Sequence, residues 1–92
     1  MIKTCISKSV FEMIFSECMK HSIIYNSDGS TGKGLECMTI RDFDTANPNN
    51  ADNDVDFYAD DFKGAWNYFK SIRRARVMDL NGNIYLDAFE GD

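Results

Sequence analysis

Residues 44–54 have the sequence DTANPNNADND, which contains the only proline of the chain, four asparagines and three aspartates. Such a segment offers almost no apolar surface to bury, and proline, asparagine and aspartate favour turns and loops. We therefore expect an exposed connection between two halves of the chain. With 92 residues in all, both halves must share one domain, residues 1–92, with one modest core.

The first half begins with a predicted helix over residues 10–20. Ser9 and Glu12 have the spacing of a capping box, in which each side chain bonds a backbone N–H of the first turn. Apolar side chains then recur at helical spacing on one face: Val10, Phe11, Ile14, Phe15, Cys18 and Met19.

Two strands are predicted after this helix. Residues 22–26 read as a short strand, residues 27–34 as a flexible loop, and residues 35–43 (LECMTIRDF) as a second strand rich in β-formers. We expect the second strand to pair back across the loop as a hairpin.

The second half repeats this outline. A helix is expected to start at Asp60 or Asp61, which would cap it, and Gly64 inside it should cost about 1 kcal/mol relative to alanine. Asn81-Gly82 between two apolar-rich runs is a strong hairpin signal, because both residues tolerate positive φ. The sequence predicts an α+β fold, with two helices packed on a small antiparallel sheet built from hairpins.

Charge is distributed unevenly along the chain. The net charge is −5, but residues 42–61, called the acidic segment below, sum to −7 and contain no lysine or arginine, so the other 72 residues sum to +2. Every acid in the segment is an aspartate: Asp42, Asp44, Asp52, Asp54, Asp56, Asp60 and Asp61. These seven are the candidate partner-binding residues.

An acidic segment of this kind has two interpretations. It can simply be a solvated surface that aids solubility. Alternatively, if Asp52, Asp54 and Asp56 lie on an extended segment, their carboxylates share one face at about 6.6 Å spacing, twice a strand rise. That spacing is about twice the roughly 3.4 Å of axis per phosphate on each DNA strand, so the array could present an approximate phosphate track and imitate DNA.

The acidic balance argues against direct binding to nucleic acid or to an anionic membrane, and it favours basic partner proteins. Three cysteines without paired spacing suggest reduced thiols in the cytoplasm rather than a disulfide scaffold. Neither a signal peptide nor an apolar membrane span is visible in the sequence, so we expect the protein to stay in the cytoplasm where it is made.

Little in the sequence points to catalysis or a cofactor. His21 is the only histidine, which removes most acid–base schemes and most zinc sites. Residues 29–34 (GSTGKG) have the wrong spacing for a phosphate loop. Asp79, Asn81 and Asn83 copy part of a calcium loop, but Ile84 stands where that loop needs glycine. We expect a non-enzymatic protein with no cofactor and no bound metal.

Two other interpretations stay open besides DNA mimicry. The chain could be an inhibitory interaction module that docks through aromatic anchors, with Tyr58, Trp66 and Tyr68 as candidates. It could also be a small binder of metal ions through its acidic residues. A homodimer is expected under each of these interpretations, DNA mimicry included, because a small domain with many aromatics gains core by association.

The opening MIKTCISKSVFEMIFSECMKHS, the stretch DFDTANPNNADNDVDFYADDFKGAWNYF and the length of 92 residues resemble the Arn family of anti-restriction DNA-mimic proteins of the T-even bacteriophages. The resemblance implies an early phage protein that blocks DNA-binding proteins in the host cytoplasm. It implies a restriction nuclease of the McrBC type and a nucleoid protein of the H-NS type as targets. It supplies no residue-level motif, so the site assignment depends on the seven aspartates alone.

Overall fold

The computed structural model describes residues 1–33 and 36–91. Short 3-10 turns lie at Lys3–Cys5 and Ala51–Asn53. The helices and strands follow in the order α1 (Lys8–Lys20), β1 (Ile23–Tyr25), β2 (Thr31–Lys33), β3 (Cys37–Asp42), β4 (Asp54–Tyr58), α2 (Phe62–Ser71), β5 (Arg74–Met78) and β6 (Ile84–Phe89). Two helices and a four-stranded antiparallel sheet confirm the predicted α+β class.

The main sheet has the strand order β4-β3-β5-β6, and every neighbouring pair is antiparallel. The predicted hairpin between residues 22–26 and 35–43 is wrong. β1 instead pairs with β2 inside the expected flexible loop, and the two form a separate two-stranded sheet. β3 takes a central place in the main sheet because Met38 and Ile40 are fully buried there. Leu35, assigned to the second predicted strand, lies outside the described residues.

β4 is a strand that the sequence analysis does not predict, and its first residue belongs to the expected exposed connection. It begins at Asp54 and pairs with β3 along its whole length, from Arg41↔Asp54 to Cys37↔Tyr58. The polar residues before it are exposed or half-buried, as expected. β4 occupies one edge of the sheet because its alternating aspartates suit a half-solvated strand better than a central one.

The Asn81-Gly82 hairpin is confirmed. β5 and β6 pair antiparallel on either side of it, with a register irregularity at Val77/Met78. Gly82 has φ +82°, a conformation that other residues rarely adopt. The side-chain amide of Asn81 donates to the carbonyl of His21 at 2.7 Å, which ties this turn to the end of α1.

The helix caps agree with the prediction at α2 and differ at α1. Asp61 caps α2 by accepting from the N–H of Gly64 at 3.0 Å. At α1 the cap is Ser7, whose hydroxyl accepts from the N–H of Val10 at 3.2 Å, so the predicted cap at Ser9 is wrong. The helix begins two residues earlier than expected because Ser7 has the extended backbone of a cap residue.

Both helices pack on the same face of the main sheet. Phe11 and Phe15 of α1 and Phe69 of α2 lie in one core with Met38 and Val77 of the sheet. Phe11 is the centre of the aromatic packing, 4.8 Å from the ring of Phe69 between centroids. Alternation along the strands sends Thr39, Arg41 and Arg76 to the opposite face, called the open face below.

Candidate partner-binding surface

Of the three carboxylates predicted to share one face, only two lie on a strand. Asp54 and Asp56 lie on β4, and their side chains point to the open face, about 6.6 Å apart along the strand. Asp52 lies instead in the 3-10 turn that leads into β4, so it leaves the line. A continuous extended array of all three carboxylates is therefore not what the fold provides.

Arg41 neutralises one of these two aspartates. Its guanidinium donates to both carboxylate oxygens of Asp54, at 2.6 and 3.2 Å, and only 22% of the Asp54 side chain is exposed. The hydrogen bond that Arg41 donates to Asp54 raises the pKa of Arg41, so the guanidinium stays charged. A bidentate pair of this kind leaves Asp54 little capacity to attract a basic partner.

Asp56 and Asp61 are exposed but also have structural roles. Asp56 accepts a hydrogen bond of 2.7 Å from the hydroxyl of Thr39, directly across the β3–β4 ladder. Asp61 caps α2, as described above. In both cases the internal contact fixes the direction of the carboxylate while the residue remains open to solvent.

The loop before β4 is held by its asparagines. Asn50 accepts from the N–H of Asp52 at 2.9 Å and so caps the 3-10 turn. The amide of Asn53 donates to the hydroxyl of Thr45 at 3.1 Å and to the carbonyl of Asn47 at 2.9 Å. These contacts place Asp52 at a defined position on the surface.

Asp42 and Asp44 follow β3. Asp42 is half-buried and accepts from the N–H of Asp44 at 2.8 Å. Burial, assisted by the charge of Asp42, raises the pKa of Tyr68. Asp44 lies 4.0 Å from Arg73, and both side chains are largely exposed, so this ion pair is weak.

The seven predicted residues thus divide into two groups. Asp42 and Asp54 are half-buried and engaged within the fold. Five aspartates of the segment are exposed: Asp44, Asp52, Asp56, Asp60 and Asp61. These five can present their charge to a partner.

A search against protein-family models, curated proteins and solved structures found no match. Interpretation of the surface therefore depends on its geometry and charge.

Sequence reasoning missed Arg41 as the partner of Asp54. Arg41 stands just before the acidic segment, and nothing local links it to a residue 13 positions away. The pairing depends on the β3–β4 register, which places the two residues opposite each other. Thr39, the donor to Asp56, was missed for the same reason.

Several bases of residues 63–76 lie on aromatic rings rather than forming a free basic surface. Arg76 lies 4.1 Å from the ring centroid of Phe43 and also donates to Asp87 at 2.8 Å. Arg74 lies 4.6 Å from the centroid of Phe89. These contacts place the two arginines on the open face, where the aromatic faces offset part of their desolvation.

Of the three candidate aromatic anchors for docking, Tyr58 is the one that is clearly exposed. Trp66 packs 5.2 Å from Phe11, and Tyr68 packs 5.5 Å from Phe57, so both rings belong to the margin of the core. Tyr58, at the end of β4, is 44% exposed.

The motifs set aside in the sequence have structural roles. Thr31–Lys33 forms strand β2, and Gly34 lies outside the described residues. The carboxylate of Asp79, in the calcium-like stretch, is occupied by donors from Asn81, Asn83 and Tyr85. Within residues 1–33 and 36–91, no group of three or more His, Cys, Asp or Glu side chains is placed to hold a metal ion.

The three cysteines are free thiols, with Cys5 exposed and Cys18 and Cys37 buried. Burial raises the pKa of Cys18 to about 12, so its thiol stays protonated as a small apolar group of the core. In the described part of the chain, neither helix has the length and apolar character needed to cross a bilayer.

Proposed function

We propose that this protein acts as a DNA mimic that inhibits host DNA-binding proteins by occupying their phosphate-binding grooves. It works by binding and not by catalysis. The observation that supports this most strongly is the set of five exposed aspartates on residues 44–61, within a segment that has no base of its own.

The way these aspartates are held also supports the proposal. A mimic of phosphates must keep its charges at fixed positions, because ordering them on binding would cost side-chain entropy. Asp52 is positioned by a capped 3-10 turn, Asp56 by Thr39 and Asp61 by the first turn of α2. Aspartate suits this role because its carboxylate lies close to the backbone.

The partners we propose are basic DNA-binding proteins of the host: a restriction nuclease of the McrBC type and a nucleoid protein of the H-NS type. Both suggestions come from the resemblance to the anti-restriction proteins of T-even phages. A phage early protein of this kind would act in the bacterial cytoplasm. A groove lined with lysine and arginine would bind the aspartates by the same Coulomb attraction that it uses for DNA.

A homodimer belongs to the same proposal. One chain presents a short acidic surface, and a second copy would lengthen it toward a useful stretch of duplex. Sedimentation equilibrium of the full chain tests this part separately. A monomer at micromolar concentration would remove the dimer and leave the acidic surface of one chain as the mimic.

The decisive experiment compares two triple variants with the same change in net charge. The test variant is Asp52→Asn, Asp56→Asn and Asp60→Asn, within the acidic segment. The control variant is Glu12→Gln, Glu17→Gln and Asp28→Asn, elsewhere on the surface. We expect the test variant to bind a purified H-NS-type protein about tenfold more weakly or worse, and the control to change by less than about threefold.

Competition and salt dependence complete the test. Duplex DNA should displace the protein from its partner, and affinity should fall steeply between about 50 and 300 mM salt. Binding that ignores salt and survives the triple Asn variant would refute DNA mimicry. If Tyr58→Ala then abolished binding without unfolding the chain, docking through an aromatic anchor would be the better explanation.

A further inference from the structure

A cavity of about 380 Å³ lies between the N-terminal 3-10 turn and the C-terminal half of α2. Its apolar walls are Ile6, Trp66 and Phe69. Its polar lining consists of the side chains Lys3, Thr4, Lys70 and Glu90. This volume is within the range of small-molecule sites, near the lower end, so one or two fused rings would fit.

Both ammonium groups of this cavity have contacts within the fold. Lys3 donates to the carbonyl of Lys70 at 2.9 Å and also to the carbonyl of Ile72, so its ammonium caps the C-terminal end of α2. The same ammonium lies 5.6 Å from the ring centroid of Phe69, and that of Lys70 lies 5.3 Å from the centroid of Trp66.

These contacts define the charge that a ligand should have. Two ammonium groups against the single carboxylate of Glu90 make the lining net positive, on a protein whose net charge is −5. Ammonium groups already occupy positions over both aromatic rings, so an added cation would be repelled. An anion would complement the two lysines, and its apolar part would lie beside the half-buried Trp66.

The partial burial of Lys3 also favours the binding of an anion. Desolvation lowers its pKa, and the charge of Glu90 opposes that shift only in part. A partly desolvated ammonium gains from a second negative group.

We propose that this cavity binds a small aromatic carboxylate, with the carboxylate between the ammonium groups of Lys3 and Lys70 and the ring beside the half-buried Trp66. The site shares no residue with the acidic segment, so it does not depend on the proposed DNA mimicry.

The test is a titration of the ¹⁵N-labelled full chain with 2-naphthoate. Trp66 lines the cavity and is the only tryptophan, so its indole N–H gives one unambiguous reporter signal. We expect a saturable shift of this signal. The neutral analogue 2-naphthalenemethanol should bind about tenfold more weakly, because it lacks the charge-assisted hydrogen bonds.

Three variants locate the site. Lys70→Met keeps the length of the side chain and should weaken 2-naphthoate about tenfold. Lys63→Met, on the same helix but outside the cavity lining, is the matched control and should change nothing. Glu90→Gln should strengthen binding about threefold, because it removes a repelling carboxylate.

The proposal is overturned if the indole signal does not move at millimolar 2-naphthoate. It is equally overturned if the neutral analogue binds as well as the anion, or if Lys63→Met weakens binding as much as Lys70→Met. A spectrum of each variant without ligand shows whether it is folded, since the dispersed amide signals of the native sheet must persist.

Discussion

The phenol of Tyr85 donates a 3.0 Å hydrogen bond to the carboxylate of Asp79 across the β5–β6 hairpin. Asp79 is only 3% exposed and accepts three more bonds, from the N–H groups of Asn81 and Asn83 and from the amide of Asn83. Burial and the bond to Asp79 both raise the pKa of Tyr85, so the phenol remains a donor. The carboxylate of Asp79 is thus the common acceptor for four donors of the β5–β6 hairpin.

Removal of this carboxylate should be costly. We expect Asp79→Ala to lower the free energy of unfolding by about 2–4 kcal/mol, because four donors lose their acceptor. Tyr85→Phe, which removes one of the four, should cost about 1 kcal/mol. Urea denaturation followed by circular dichroism measures both, with Asp60→Ala as an exposed control. Equal stability of Asp79→Ala and Asp60→Ala would contradict the assigned role.

Acid should weaken the same contact. Burial alone would raise the pKa of Asp79, but the hydrogen bonds from Asn83, Tyr85 and Asn81 outweigh it and hold the pKa below its usual value. The native state therefore binds fewer protons than the unfolded chain in this range. The stabilisation is fully present above the unfolded-state pKa of about 3.9 and is lost as the pH falls through the lower folded-state value.

The matching measurement compares wild type with Asp79→Asn by urea unfolding at a series of pH values. Asparagine does not titrate, so the stability difference between the two proteins should shrink from pH 5 toward the lowest pH at which wild type stays folded. A difference that stays constant over this range would mean that Asp79 does not titrate with a depressed pKa.

The start of α1 gives a test of the cap assignment. Ser7→Ala should cost about 1 kcal/mol, because the N–H of Val10 loses its acceptor. Ser9→Ala should cost clearly less, since the Ser9 hydroxyl bonds to the Ser7 hydroxyl at 3.1 Å and to no backbone N–H within residues 1–33 and 36–91. Thermal unfolding of the two variants ranks them, and the reverse order would restore Ser9 as the cap.

Gly64 should behave differently from an ordinary helix glycine. A Cβ added there would lie 2.7 Å from the carboxyl carbon of Asp61, so the capping side chain would have to move away. In wild type, Gly64→Ala should gain almost nothing, because about 1 kcal/mol of helix propensity is offset by loss of the cap.

The cap variant Asp61→Ala provides the matched background. With no carboxylate over the glycine, Gly64→Ala should stabilise the protein by about 1 kcal/mol. A double-mutant cycle by chemical denaturation gives the coupling directly. If Gly64→Ala stabilised both backgrounds equally, the carboxylate would not be what keeps glycine at this position.

The two ion pairs of the acidic segment should differ in strength. Arg41→Met with Asp54→Asn should show a coupling of about 1–2 kcal/mol, since the pair is bidentate and half-buried. Arg73→Met with Asp44→Asn should show at most about 0.3 kcal/mol, because that pair is exposed and long. Unfolding free energies of the single and double variants give both values, and similar couplings would contradict the geometric distinction.

What the sequence determined by itself is local. Helical spacing of apolar residues located α1, Asp61 marked the start of α2, and Asn81-Gly82 marked a hairpin. Each of these signals acts over a few neighbouring residues, where backbone preference and side-chain caps decide the conformation. The concentration of aspartate in residues 42–61 is likewise a property of the chain alone.

The tertiary structure decided which segments lie next to each other. β3 pairs with β4 and β5 instead of β1 because burial of Met38 and Ile40 under both helices outweighs the short connection to β1. That register brings Arg41 to Asp54 and so removes one carboxylate from the acidic surface. Contacts between distant residues depend on the packing of the whole core, and no local pattern in the sequence encodes them.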